Sequence, residues 1–440
     1  MSLLKAKFNR RDFLKFLGVN LGLSAFYLSG CNKAIEKLDL SNKFQFKPIE
    51  ASKLDELILP DGFAYDIIRS WKDPINSTRL FGTSNDFTAF FELDSKTALL
   101  WVNHELVDPK LIPDITEQKG SVGGSVIALE KKKNKWQFSQ DKKLQDKYNR
   151  RYDANSPMKY TGEAAIKLAG GKGTLANCSG GVTPWKTVLS CEENFDYCPD
   201  RFGWKNFNRE EYGWVVEIDP YDKNKIPMKH TALGRFAHEN AAVSSAVDKA
   251  LVVYMGDDTE NEHIYKYVSN SVYKGEKSAS HLLQSGKLYV AKLDEKTKTG
   301  RWQLLDINET KLKGKFSNQA ELLINTRKAA KLLNATELNR PEDIEISPYD
   351  GSIFVAQSMN KSKDDLYGSI LKIEEKDSNY EALEFKYEHF LIGGEESGLA
   401  CPDNLCFDNK GNLWVATDVY GIDFYKNGFA FQANNALYVI

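Results

Sequence analysis

Three stretches of this 440-residue chain repeat one pattern, and that repeat restricts the fold more than any other feature. Residues 340–357 read RPEDIEISPYDGSIFVAQ, and residues 401–418 read CPDNLCFDNKGNLWVATD. Each copy opens on a proline followed by two ligand-type side chains, Glu342 and Asp343 in one, Asp403 and Asn404 in the other. Alternating apolar residues come next (Ile344 and Ile346; Leu405 and Phe407), then a turn at Asp350-Gly351 or Lys410-Gly411 and a second apolar run. A looser copy spans residues 238–258, HENAAVSSAVDKALVVYMGDD. Period-two alternation on either side of a glycine turn is a β-hairpin. Repetition of one such unit points to a repeat architecture before any domain boundary is drawn.

The rest of the chain agrees. Short apolar runs at 98–102, 124–128, 187–190, 214–218, 250–254, 287–291, 352–356, 370–373, 412–416 and 436–440 are separated by Gly, Asp, Asn and Lys turns. Helical spacing is clear only in residues 319–334, QAELLINTRKAAKLLN, where Leu322, Leu323, Ala329, Leu332 and Leu333 share one face. Residues 141–152 are charged and read as a loop or a short surface helix. Hairpins without βαβ units, at blade-sized intervals, give an all-β fold and specifically a β-propeller with short helical insertions. At roughly 45–70 residues per blade the length accommodates six to eight blades, and six fits best because 121–190 and 260–340 carry extra turns. A pair of β-sandwiches with acidic loops is the competing architecture.

The first thirty residues read as an export signal rather than fold. Lys5, Lys7, Arg10 and Arg11 precede an apolar run that is short and interrupted by Lys15. Residues 9–15, NRRDFLK, resemble a twin-arginine motif, and Leu28-Ser29-Gly30-Cys31 resembles a lipobox that would lipidate Cys31. The expected organisation is a signal at 1–30, a Lys-rich tether at 31–58 and a single propeller at 59–440. The expected partners are the twin-arginine export machinery and, through Cys31, a membrane. Asn32 after the cysteine favours the outer membrane facing the periplasm. Twin-arginine export carries folded proteins, which suits a chain that acquires a metal before it leaves the cytoplasm.

Without residues 1–30 the chain holds 54 basic and 60 acidic groups, a net charge of −6. No basic stripe is present, which argues against a nucleic-acid partner and leaves multivalent cations as natural counter-ions. Five cysteines remain beyond Cys31, namely Cys178, Cys191, Cys198, Cys401 and Cys406. An odd number leaves at least one thiol unpaired. An oxidising compartment permits a disulfide at Cys191 or Cys198, while Cys406, in mid-strand, reads as an inert thiol.

The apolar runs end in carboxylates: Asn103-His104-Glu105, Cys191-Glu192-Glu193, Gly256-Asp257-Asp258 and Thr417-Asp418. The hairpin mouths add His238-Glu239-Asn240, Glu342-Asp343 and Asp403-Asn404. Converging carboxylates repel unless a cation neutralises them. Hard oxygen donors suit calcium, and a thiolate adds preference for a transition ion such as iron. Glu192 and Glu193 are adjacent and must face opposite sides of a strand, as must Asp257 and Asp258. Arg235 and Arg340 stand two to four residues from candidate ligands, and an arginine fork matches phosphate oxygens. His104, His238 and His263 are further candidates as ligands or proton donors.

The motifs at 178–193 (CSGGVTPWKTVLSCEE), 234–240, 256–258, 340–343 and 402–405, with Gly411-Asn-Leu-Trp-Val, resemble those of the PhoX-type alkaline phosphatases. The resemblance covers residues 103–418 and implies an exported six-bladed propeller that hydrolyses phosphate monoesters with iron and calcium. It implies Cys178, Glu239, Asp258 and Glu342 around the iron-containing centre, and Glu192, Glu193, Asp403 and Asn404 for calcium. Arg340 would hold a phosphate oxygen, with Arg235 a second candidate, and Glu105 joins because it ends a matching strand. A metal-held oxygen is the expected nucleophile, since no Ser or Thr stands in a phosphatase nucleophile motif. The lipobox and Cys401 depart from the family pattern. Two other functions fit a propeller with acidic mouths: a calcium-dependent lactonase or phosphotriesterase, and a non-catalytic, calcium-stabilised binding protein.

Overall fold

The computed structural model describes residues 46–168, 170–205, 207–244, 246–420, 429 and 431–440. The twin-arginine motif and Cys31 lie outside them. The regular structure of the described chain is mainly antiparallel β, and each apolar run named above overlaps a strand.

Five successive meanders are present among the described residues. The first is β1 (Asn85–Glu92), β2 (Thr97–His104), β3 (Gly123–Lys132) and β4 (Lys135–Phe138), with β5 (Arg150–Tyr152) also on β3. β6 (Lys159–Thr161) then joins the second, formed by β7 (Asn177–Val182), β8 (Val188–Glu192), β9 (Val215–Ile218) and β10 (Met228–His230). The third runs β11 (Ala242–Val243), β12 (Ala250–Gly256), β13 (Ile264–Val272), β14 (Gly286–Asp294) and β15 (Thr299–Leu304). The fourth is β16 (Pro341–Ile346), β17 (Ile353–Gln357), β18 (Ser369–Glu375) and β19 (Glu384–Ile392). Pairing of β15 with β19 merges the third and fourth into one nine-stranded sheet. The fifth is β20 (Pro402–Phe407), β21 (Leu413–Thr417) and β22 (Leu437–Val439). The repeated stretches 340–357 and 401–418 are thus the hairpins β16–β17 and β20–β21. Pro341 and Pro402 each take the first position of a strand, where a missing N–H costs least.

The chain forms two compact units. The larger comprises 67–355 and 372–388, and the smaller the described parts of 46–66, 356–371 and 389–440. In the larger, the second strand of each hairpin is buried along nearly its whole length, as in TALLWVNH of β2 and ALVVYMG of β12. Leu189, Trp214, Phe236, Val253, Tyr265 and Tyr267 pack into one core with the inserted helical segment. In the smaller unit Met359, Ala400, Cys401, Val419 and Phe429 form a separate cluster.

Two expectations change. Residues 319–334 form two helices, Gln319–Ile324 and Thr326–Leu332, rather than one. The break falls at Asn325, whose backbone leaves the helical region and whose side chain donates to the Glu321 carbonyl. Residues 142–148 do form a short helix, capped by the Asp141 carboxylate, which accepts from the Lys143 N–H. All five described cysteines are free thiols, so neither Cys191 nor Cys198 is in a disulfide. Among the described residues no helix is long and apolar enough to cross a membrane.

Candidate metal centre

The hairpins present their ligand groups through a shared backbone device. Ser84, Ala176, Arg340 and Cys401 are left-handed, with φ of 46°, 53°, 45° and 49°. Each precedes the first residue of a strand that ends its sheet order: Asn85, Asn177, Pro341 and Pro402. The next residue is a candidate ligand: Asp86, Cys178, Glu342 or Asp403. In three of the four the ladder slips directly after, between Asn85 and Thr88, Asn177 and Gly180, and Pro402 and Leu405. A bulge removes a residue from the alternation and re-aims its side chain. A non-glycine residue at positive φ costs of order 1 kcal/mol, so its recurrence at one position is a selected geometry.

The partner strand supplies the second ligand. Asn85 pairs with His104, Asn177 with Glu192, and His238 bridges Asp257. One residue further on stand Glu105, Glu193 and Asp258. Each of these three pairings therefore offers one donor just after its first-strand partner (Asp86, Cys178 or Glu239) and one just past the second (Glu105, Glu193 or Asp258).

Three overlapping groups result: Asp86, Glu105 and Cys178; Cys178, Glu193 and Glu239; Glu239, Asp258 and Glu342. Within each, one donor atom per residue lies within 4.8 Å of the others. The Cys178 Sγ is 3.7 Å from Asp86 Oδ2 and 3.4 Å from Glu239 Oε1. Asn194 Nδ2 donates to Glu105 Oε1 at 3.1 Å and to Glu193 Oε2 at 2.6 Å. Arg340 forks onto Asp258, Nε to Oδ1 at 2.8 Å and Nη2 to Oδ2 at 2.7 Å, and its Nη2 lies 3.1 Å from Glu342 Oε1. The Arg340 side chain is 30% exposed, against 6% for Asp258 and 2% for Glu342, so the arginine forms the rim and the carboxylates the floor.

Six carboxyls and one thiol make up these groups. Burial, reinforced by Asp86, pushes the Glu105 carboxyl up to about 8. Burial, then Asp258, Glu239 and Glu105, pushes Glu193 well above the usual carboxylate range. Burial, then Asp86 and Glu239, raises the Cys178 thiol. Glu342 holds the Arg340 guanidinium above its usual value, against the penalty of burial and with help from Asp258. A donor set that retains protons for want of positive charge fits cations, and one sulfur among oxygens fits both a hard ion and a transition ion.

The sign of this effect is testable. A carboxyl raised in the folded state stabilises that state most below its unfolded value and loses the contribution as pH rises through the folded value. For Glu105 the loss therefore spans about 4.5 to about 8. The buried histidines His104, His238 and His263 are shifted downward and act only below about 6.5, and the raised thiols of Cys178 and Cys191 act above about 8, so pH 7–8 is the window in which the carboxyls dominate. Chelator-treated protein is expected to lose stability from pH 7 to 8 in urea titrations, by at most about 1.4 kcal/mol per pH unit per group. Glu105→Gln should flatten that slope, and a slope unchanged by the substitution would contradict the assignment.

The structure brings together Cys178, Glu193, Glu239, Asp258, Glu342, Glu105 and Arg340. It separates Glu192, as the alternation requires. Glu192 is fully buried, 2.7 Å from Lys229 Nζ, and accepts from the Gly213 and Trp214 N–H groups. Its place as a calcium ligand is corrected to a structural ion pair. Arg235 is also corrected: Nε donates to the Tyr212 carbonyl and Nη2 to the Arg209 carbonyl, and the guanidinium packs on Phe195. The three histidines lie outside these groups: His104 bonds Asn85 and Ser125 through both ring nitrogens, while His238 Nε2 bonds the Gly234 carbonyl and His263 Nδ1 the Thr336 carbonyl, leaving His238 Nδ1 and His263 Nε2 buried without a hydrogen bond among the described residues. Asp403 and Asn404 occupy the β20 bulge in the smaller unit, and the three groups consist wholly of residues of the larger. Asp86 is the residue that sequence reasoning missed. Its signal was available, because SNDFTAFFELDSKTALLWVNHE (residues 84–105) follows the same template as 340–357.

Comparison with known proteins agrees with this geometry. The family model "Alkaline phosphatase PhoX" matches residues 44–434. A search of curated proteins finds no match. Among solved structures, Pseudomonas fluorescens PhoX in complex with vanadate, a transition state analogue, superposes with a TM-score of 0.81 at 29% identity, over 90% of this chain and 87% of that one. With the family model spanning both compact units, the chain belongs to the PhoX alkaline phosphatase family.

Proposed function

We propose that this protein hydrolyses phosphate monoesters with iron and calcium held in the three ligand groups. The observation that carries the reading is one thiol among buried carboxylates, rimmed by a partly exposed arginine, in a chain of this family. Cys178 is shared by the first two groups and Glu239 by the last two, so Asp86, Glu105 and Cys178, then Cys178, Glu193 and Glu239, then Glu239, Asp258 and Glu342 would be the residues that hold the cations. Bound cations would supply Lewis acidity toward the phosphoryl oxygens and acidify bound water. Arg340 orients the substrate, offering planar donors to phosphate oxygens from the exposed rim. Glu342 and Asp258 keep the guanidinium charged and fix its plane. The Pseudomonas protein binds vanadate, a transition state analogue, which supports the same chemistry here. The twin-arginine motif and the lipobox at Cys31 support delivery of the folded protein to the periplasm and anchorage in the outer membrane.

A hydrolysis panel of monoesters, diesters, triesters and lactones, paired with elemental analysis, tests the proposal. Monoester turnover, loss of turnover with chelator, inhibition by vanadate, and iron with calcium in the active protein are expected. Turnover of a lactone or triester alone, with Cys178→Ser tolerated, would establish the lactonase-type reading instead. Phosphate binding without turnover of any ester would make the protein a binding module.

A further inference from the structure

We propose that Asn103 is the positioning residue for the Cys178 thiol, an inference that rests on Cys178 being a metal ligand. The carboxamide is fully buried and uses four hydrogen bonds. Its Oδ1 accepts from Trp101 Nε1 and from Ser190 Oγ, both at 2.7 Å. Its Nδ2 donates to the carbonyls of Cys178 at 2.6 Å and Ser179 at 3.0 Å. An indole nitrogen only donates, so Trp101 dictates which end of the amide faces it and leaves both N–H groups for the carbonyls.

Those two carbonyls need an outside partner. They sit in the bulge of β7, where the ladder to β8 slips between Asn177 and Gly180. The chain then continues through Gly180 and Gly181, a pair with little stiffness of its own. Both glycines are imposed by close backbone approach: a Cβ on Gly180 would lie 2.3 Å from the Leu189 carbonyl oxygen, and one on Gly181 2.0 Å from that of Ala241. The segment bearing Cys178 therefore cannot be stiffened by side chains at these two positions. Asn103, on β2 of the neighbouring meander, takes the place of the missing ladder bonds and fixes the backbone from which Sγ projects toward Asp86 and Glu239. Ser190 ties the same network to Asn177, whose Nδ2 donates to its Oγ at 2.8 Å.

Cobalt(II) added to the chelator-treated full-length protein reads this out, because a thiolate bound to cobalt gives a charge-transfer absorption in the near ultraviolet. Wild type is expected to develop the band and Cys178→Ser to lack it. Asn103→Ala should retain its near-ultraviolet circular dichroism and raise the half-saturating cobalt concentration about 10–100-fold, as loss of a group that orients a ligand does. A merely structural asparagine would lower the unfolding temperature and leave the cobalt midpoint unmoved, which would overturn the proposal. Should Asn103→Ala not fold, Ser190→Ala decides: it removes one of the two bonds that orient the amide, so its midpoint must rise, and an unchanged midpoint overturns the assignment. A wild type indistinguishable from Cys178→Ser refutes Cys178 as a ligand instead, so the two failures are separable.

Discussion

Glu342→Gln is expected to lower kcat/KM for p-nitrophenyl phosphate by about 10³-fold or more, with near-ultraviolet circular dichroism unchanged. The carboxylate has two tasks at once. It completes the group with Glu239 and Asp258, and it is the largest single contributor to the charge held on Arg340. Glutamine keeps the shape and removes the charge, so a cation in that group loses an anionic ligand while the arginine keeps Asp258 but loses the larger of its two counter-ions. The fold should persist because β16 is anchored elsewhere. Ile344 is fully buried, its carbonyl accepts from Asn240 Nδ2 at 2.7 Å, and Asn240 also bonds the Asp343 carboxylate. Steady-state kinetics alongside metal content of the purified variant checks this. Undiminished turnover would remove Glu342 from the site.

Arg340→Lys should cost about 10²–10³-fold in kcat/KM and weaken vanadate inhibition in parallel. Lysine keeps the charge but not the fork, and the fork is what spans both Asp258 oxygens while the same guanidinium reaches Glu342. The backbone strain at φ 45° is the same for either side chain, so the comparison isolates the head group. Arg235→Lys is the matched control. Its donors end on the Tyr212 and Arg209 carbonyls, so it should lose some thermal stability and leave kcat/KM near wild type. Equal losses in the two variants would mean that Arg340 acts through folding alone.

The two arginines show where sequence reasoning stops. Both stand in motif contexts beside acidic residues, and short-range spacing ranks them alike. They part because Arg235 lies against the Phe195 ring and the Tyr212, Arg209 and Ile324 carbonyls, whereas Arg340 immediately precedes β16 and reaches Asp258 and Glu342. Glu192 and Glu193 give the same lesson in reverse. Strand alternation required that one of them face away, but choosing between them needed Lys229, 37 residues later, to be found buried against Glu192. The helix expected over 319–334 breaks because Asn325 and Thr326 bond backbone carbonyls, a competition that a hydrophobic pattern does not record.

By itself the sequence determined the repeating hairpins, the antiparallel meanders and the kinds of donor at their mouths, because alternation and turn chemistry are local and survive without neighbours. The tertiary structure decided which donors converge. Bulges after left-handed residues re-aim Asp86 and Cys178, and successive meanders bring them beside Glu105, Glu193 and Glu239. That convergence joins residues as far apart as Glu239 and Glu342, and only a folded chain with buried, mutually repelling carboxylates reveals which of its many acids need a cation.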